Sequence, residues 1–322
     1  MTFRIKLLSF AAAAGLAGAA LGVTALAAQA QTPHLEWRAE ASPKAPGEVD
    51  FTLTLRQGAS LHSNGRNVPL ADLKGLSAVQ LGGQGTELVR FRLARDAGTF
   101  ACEGSAGRDH GSGDCDFEPG RAFAQRLAAE GRGRADDDQL LELAMSNIDG
   151  VYLDELRRQR LARASVDELI RAGHHGVGLR YLQEMAAAGY RFSELGELSD
   201  LRDHGVSARF IAALKAAGYS GLSTDELTRL RDHGVSPEFI TGMADLGYRR
   251  LAAEEFVRLR DHGVSVSYVS SLRELGYRDV STDDLVKLRD HGVSASYIRR
   301  INTDGAPLDP EDIIRMRDRG ER

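Results

Sequence analysis

The string Leu-Arg-Asp-His-Gly-Val-Ser begins at Leu201, Leu230, Leu259 and Leu288, each copy 29 residues after the last. An earlier copy survives as His175-Gly176-Val177, and a more degenerate one reads as Asp149-Gly150-Val151. Met316-Arg317-Asp318-Arg319-Gly320 is a truncated final copy after a proline-containing insertion. A chain with such a period repeats its own contacts, so the region is constrained to an array of stacked units.

One unit, residues 222–248, carries the signals for two short helices. Ser223 and Glu226 make a capping box, and Leu227 and Leu230 point inward from the helix it starts. Gly234 supplies the left-handed residue that ends this helix, and Val235 packs back on it. Ser236 caps a second helix with Pro237 in its first turn, where the missing N–H costs nothing. Phe239, Ile240, Met243 and Leu246 form its apolar stripe, and Gly247-Tyr248 closes the unit. The aromatic slot recurs at Tyr181, Phe210, Tyr268 and Tyr297, and the core slot at Met185, Leu214, Leu272 and Ile301. Helices of about ten residues are not stable alone, so each must stack on its neighbours. The array reads as an α-solenoid of helical-hairpin repeats.

Upstream the period changes to two. Val49–Leu55 and Val89–Leu93 alternate apolar and polar residues, and Gly58, Gly65, Gly75, Gly82, Gly83 and Gly85 break residues 35–119 into short strands. Gly98–Gly104 and Gly113–Phe117 flank a polar glycine-rich loop. If these two pieces form a hairpin with Cys102 opposite Cys115, then Phe100 falls opposite Phe117 and both pairs face one core. The chain has two cysteines; in an exported chain an even pair implies a disulfide. Such a bridge would close a 14-residue loop, worth about 3 kcal/mol in the chain-entropy model.

Export is expected from the N-terminus. Arg4 and Lys6 precede an apolar run from about Leu7 to Ala28, which ends in Ala25-Leu26-Ala27 and Ala28-Gln29-Ala30, small-x-small sites suited to cleavage after Ala30. Retention of this run as an anchor is the alternative, and membrane association is expected only in that case. Without Arg4 and Lys6, the 41 bases fall to 39 against 46 acids. This mildly acidic balance, with no basic stripe, argues against nucleic-acid binding.

The expected fold class is therefore α+β in two parts, a small antiparallel β-domain with one disulfide followed by an α-solenoid of 29-residue helical-hairpin repeats. The divisions are 1–30 signal peptide, 31–120 antiparallel β-domain, 121–136 short helix and polar linker, and 137–322 helical repeat array.

The repeated polar slots are the candidates for chemistry. His175, His204, His233, His262 and His291 share one slot, and Arg202, Arg231, Arg260 and Arg289 share another beside Asp203, Asp232, Asp261 and Asp290. Equivalent residues in stacked helices lie roughly 8–10 Å apart, too far for successive imidazoles to share an ion about 2 Å from each nitrogen. The histidines then read as helix C-terminal groups bonding the last carbonyls, with partner contact as the alternative; no metal or other cofactor is expected. The Arg-Asp series reads as a ladder of exposed ion pairs between repeats or as a regular binding face. The tip Arg108-Asp109-His110 reads as an exposed polar loop. No His-Glu-x-x-His, Gly-x-Ser-x-Gly or phosphate loop occurs, which argues against an enzyme.

At Leu-Arg-Asp-His-Gly-Val-Ser…Gly-Tyr the array resembles repeats in the extracytoplasmic C-terminal regions of some bacterial Bla-regulator-type sensor metallopeptidases, over roughly residues 137–320. The hairpin from Gly98 through Cys102-Glu103-Gly104 to Phe117 is similar to one that accompanies such repeats. The peptidase part of that family is absent, so its activity does not carry over. The resemblance implies a sensing or interaction module. The functional expectation is a non-catalytic periplasmic or secreted scaffold whose repeats bind a protein or peptide partner in the cell envelope. A module sensing a small ligand or cell-wall fragment through the β-domain is the alternative.

Overall fold

A computed structural model describes residues 34–321 apart from 43, 44, 46, 58, 59 and 303–306. The expected leader lies outside the described residues. Among the described residues, no helix is long and apolar enough to cross a membrane.

Seven strands form one curled antiparallel sheet: β1 (His34–Ala41), β2 (Glu48–Gln57), β3 (Ser60–Pro69), β4 (Leu73–Lys74), β5 (Glu87–Arg95), β6 (Gly98–Gly107) and β7 (His110–Pro119). Their order is β3-β2-β1-β7-β6-β5-β4, so two meanders join where the first strand pairs with the last. The period-2 pattern settles which face is buried: Val49, Phe51, Leu53 and Leu55 of β2 and Val89, Phe91 and Leu93 of β5 all enter the core. Cys102 pairs with Cys115 and Phe100 with Phe117, in the register expected for the hairpin. The disulfide is formed, and the two phenyl rings lie 5.2 Å apart beside it.

The glycine-rich stretch between the cysteines is strand rather than loop. The strands β6 and β7 run on to Gly107 and His110, and Arg108 and Asp109 alone turn the chain, at φ 56° and 65°. This is the two-residue geometry that matches strand twist. The glycines make room for Trp37, which is 1% exposed. A Cβ on Gly113 would lie 2.8 Å from the indole nitrogen, and one on Gly111 3.0 Å from its ring. Trp37 therefore lies across β7, donates from Nε1 to the Glu103 carbonyl at 2.9 Å, and meets Phe91 edge-on at 4.8 Å. Arg108, Asp109 and His110 form the exposed polar tip expected, and its backbone is anchored. A short helix, α1 (Ala78–Gly82), offers the Leu81 carbonyl to the Asp109 N–H, and the Gly83 carbonyl just after it accepts from the Arg108 N–H.

After β7 come α2 (Arg121–Ala129) and then paired helices: α3 (Asp137–Met145) with α4 (Gly150–Arg158), α5 (Val166–His174) with α6 (Leu179–Ala187), and α7 (Leu195–Asp203) with α8 (Ala208–Ala216). They continue as α9 (Thr224–Asp232) with α10 (Pro237–Asp245), α11 (Ala253–Asp261) with α12 (Val266–Glu274), and α13 (Thr282–Asp290) with α14 (Ala295–Ile301), closing on α15 (Pro310–Asp318). Odd-numbered helices from α3 onward pack on the next odd one and even on even, which makes a two-layered solenoid. The capping logic holds. Ser223 accepts from the Glu226 N–H while the Glu226 carboxylate accepts from the Ser223 N–H, and Val235 N–H closes the helix on the Leu230 carbonyl.

The degenerate first copy sits three residues earlier than the sequence suggests. Asn147, at φ 54°, takes the place of the capping glycine, Ile148 donates to the Leu143 carbonyl as Val206, Val235, Val264 and Val293 do to Leu201, Leu230, Leu259 and Leu288, and Asp149 caps α4. Asparagine tolerates the left-handed region better than most residues, which hides the motif from a search for glycine.

Residues 131–135 carry no helix, yet they are no loose tether. The Arg132 side chain is 1% exposed, donates to Glu130 at 3.0 Å and to the Ala164 carbonyl at 2.8 Å, and the Arg132 carbonyl accepts from Val166. The β-domain also grips both termini in the first repeat. Arg66 donates to the Met145 carbonyl at the end of α3, and the Asp96 carboxylate accepts from the Gly150 N–H at the start of α4, at 2.8 Å. A cation at a helix C-terminus and an anion at an N-terminus each complement the helix dipole. Burial, with Arg95 nearby, lowers the Arg66 pKa to about 10. One continuous apolar core runs from Leu35 to Ile313.

Candidate functional site

The repeated polar slots meet across each boundary between units. His175 Nδ1 lies 2.7 Å from Asp203 Oδ1, and the same contact recurs at His204–Asp232 (2.6 Å), His233–Asp261 (2.7 Å), His262–Asp290 (2.7 Å) and His291–Asp318 (2.8 Å). The neighbouring arginine reaches back as well, but to a ring. Arg202 covers Tyr181 with its guanidinium carbon 5.0 Å from the ring centre, Arg231 covers Phe210 at 5.2 Å, Arg260 covers Phe239 at 5.2 Å, and Arg289 covers Tyr268 at 5.0 Å. Adjacent residues of one repeat thus bind two different slots of the repeat before it.

This differs from both readings of the sequence. The imidazoles bond the carboxylate of the following repeat rather than the last carbonyls of their own helix, and the aspartates pair with those histidines rather than with the arginines. The reason is geometric. The left-handed glycine after each histidine leaves a surface that the next arginine covers: a Cβ on Gly205 would lie 2.9 Å from an Arg231 nitrogen. An arginine laid flat there stacks on the aromatic ring behind it, worth about 0.5–1 kcal/mol where exposed, and leaves its aspartate facing the imidazole.

Tyrosines complete the interface. Tyr152 and Tyr181 donate to the Val177 and Val206 carbonyls, each at 2.9 Å, and Tyr190 and Tyr248 donate to the Leu222 and Val280 carbonyls. Tyr268 and Tyr297 occupy the same slot as Tyr181, yet their hydroxyls are buried without a partner. Burial pushes the Tyr181 and Tyr268 phenols up to about 12.

What this leaves to solvent is grooves. One runs between α8 and α10, lined by Ala216, Tyr219, Thr241, Asp245, Arg249 and Arg250. It offers an aromatic ring with charges of both signs, a surface suited to an extended peptide.

The first unit-to-unit boundary breaks the code. Counted back 29 residues from the Arg202-Asp203-His204 series, the arginine slot holds Gly173, the aspartate slot His174, and the histidine slot of the first repeat Ser146. A Cβ on Gly173 would come within 2.5 Å of Ser146, so the bare glycine lets α5 approach the end of α3. The His174 ring then turns to Glu142, with Nε2 2.9 Å from the carboxylate, and to His62 of the edge strand β3, with ring centres 4.2 Å apart. Among the described residues these three side chains are the one group arranged as metal ligands are, their donor atoms within 4.8 Å of one another. Sequence reasoning missed them, because three separate elements supply them at positions 62, 142 and 174. The available signal was the break itself, a histidine where every later copy has aspartate.

The chain matches no family model, and no curated protein is similar to it.

Proposed function

We propose that this is an exported, non-catalytic interaction protein of the periplasm or cell exterior, whose helical repeats bind a protein or peptide partner. The observation that carries the reading is that the same slots join each unit from the second onward to the next, which holds a regular, open surface in fixed register along the solenoid. The disulfide suits an oxidising compartment. The groups with displaced pKa values serve caps, the tyrosine slots, the joint between the parts and surface ion pairs such as Arg180–Glu184, which favours scaffolding over acid–base chemistry. His175, His204, His233, His262, His291, Arg202, Arg231, Arg260 and Arg289 then act first by fixing the repeats and only secondarily as a surface a partner touches.

Site-specific photocrosslinking in exporting cells tests this. A photoreactive residue at exposed Thr241 or Arg249, in the groove between α8 and α10, is expected to capture a discrete partner, whereas one at exposed Val79 or Leu88 of the β-domain is expected to capture none. Capture from Val79 or Leu88 alone would move binding to the β-domain, as in the small-ligand or cell-wall-fragment reading.

A further inference from the structure

We infer that His62, Glu142 and His174 bind one divalent transition-metal ion of the zinc class, which clamps the edge strand of the β-domain to the first two repeats. At five boundaries an aspartate meets a histidine as a simple pair, and among the described residues no third ligand joins them. At the first boundary all three polar slots change together: arginine to Gly173, aspartate to His174 and histidine to Ser146. The Glu142 slot departs too, since the later repeats carry Arg171, Asp200, Arg229, Arg258 and Lys287 there. Glycine and serine remove bulk, and histidine and glutamate add ligands. Packing alone would be served by the pairs used everywhere else.

The chemistry of the three donors is that of a site with two imidazoles and one carboxylate. Imidazole and carboxylate bind zinc-class ions at about 2.0–2.2 Å in tetrahedral geometry, which sets neighbouring donor atoms about 3.3 Å apart. The present donors lie within 4.8 Å of one another, and His174 and Glu142 are already in contact at 2.9 Å, so movements of about 1 Å by side chains would complete the site. His62 is exposed, with the freedom to make that movement, and the His174 and Glu142 side chains keep 32% and 22% of their surface open, so an ion can enter. A fourth position would face solvent and take water. Harder cations such as calcium or magnesium prefer all-oxygen sites and fit this donor set poorly.

Placement gives the ion its consequence. β3 is an edge of the sheet, α3 begins the solenoid and α5 belongs to the second repeat. One ion would tie all three, beside the grip of Arg66 on α3 and Asp96 on α4. Because the native arrangement assembles the ligands from three distant segments, the ion binds the folded chain in preference to the unfolded one and raises its unfolding midpoint.

The test titrates the leader-free full chain with zinc ions by calorimetry and chelator competition, and with cobalt(II) by absorption. The expected result is one equivalent per chain, a cobalt(II) spectrum of tetrahedral nitrogen–oxygen ligation, and a higher thermal midpoint with metal. His62→Ala, His174→Ala and Glu142→Gln are each expected to weaken binding at least ten-fold, whereas His233→Ala in the ladder leaves it unchanged. Because His62 is an exposed side chain, folding of its variant is checked by Trp37 fluorescence and helical circular dichroism. Absence of stoichiometric uptake overturns the inference. So does uptake that survives both histidine substitutions or that His233→Ala abolishes.

Discussion

The β-domain and the solenoid order short elements by opposite means. In the β-domain two local meanders are joined by contacts between distant parts of the chain: β1 pairs with β7, and Trp37 donates to a carbonyl 66 residues away. In the solenoid the same few contacts recur at a separation of 25 or 32 residues for the tyrosine hydroxyls and 27 or 28 for the His–Asp pairs. Non-local pairing must pay loop-closure entropy before it is rewarded, and that domain carries the disulfide and the tryptophan cluster. A stacked array needs neither, because each unit finds its support in the next. Damage to the β-domain should therefore be felt throughout that domain, whereas damage in the solenoid should stay near its site. Trp37 is the chain's sole tryptophan, so its fluorescence follows the β-domain while far-ultraviolet circular dichroism follows the helices.

The largest effect is expected from Trp37→Ala. It opens a cavity at the centre of the sheet and removes the bond to Glu103, and should cost about 3–5 kcal/mol. Chemical denaturation followed by aromatic near-ultraviolet dichroism should show the β-domain transition displaced while the helical transition remains. Opening the Cys102–Cys115 bridge comes next, at about 3 kcal/mol for a loop of this size. Reduction should lower the Trp37 transition and leave most of the helical signal. Equal loss of both signals would show that the two regions unfold as one unit.

The solenoid interface yields a sharper contrast of opposite signs. Tyr181→Phe strands the buried Val206 carbonyl and should destabilise by about 1 kcal/mol. Tyr268→Phe removes a hydroxyl that is buried without a partner and should be neutral or stabilising. Paired melts of the two variants check this, and equal losses would mean that the slot does not work through hydrogen bonding. The smallest effect concerns the capping boxes. Hydrogen bonds from Ser165 and Ser223 hold the Glu168 and Glu226 carboxyls below the usual range. A carboxyl depressed in the folded state adds stability above its unfolded pKa and loses it as pH falls through the folded value. The helical signal should therefore weaken as pH drops below about 4.5, the ordinary glutamate range, and Glu226→Gln should blunt that dependence.

Much of this fold was legible in the chain. Period 29, the serine caps and the glycine stops located the helices because each signal acts within a few residues. The Cys102–Cys115 and Phe100–Phe117 register followed from strand alternation. Other features were hidden because their cause is distant. Gly111 and Gly113 look like loop residues until Trp37 is seen lying over them. Arg132 looks solvated until the Ala164 carbonyl meets it. The partners of the repeated histidines lie one unit away, so the motif showed the residues without showing that aspartate would take the imidazole and an aromatic ring the arginine. His62, Glu142 and His174 share no local motif at all.

The central claim is that, from the second unit onward, the repeated polar code joins each unit to the next and thereby sets the surface the solenoid presents. Deleting residues 223–251 tests it most directly, because one whole 29-residue period is removed and every slot stays in register. His204 would then meet Asp261, and Arg260 would cover Phe210. The account predicts a folded, shorter chain whose helical content falls only by the unit removed and whose Trp37 transition is unchanged. Collapse of the helical signal beyond that unit would contradict it.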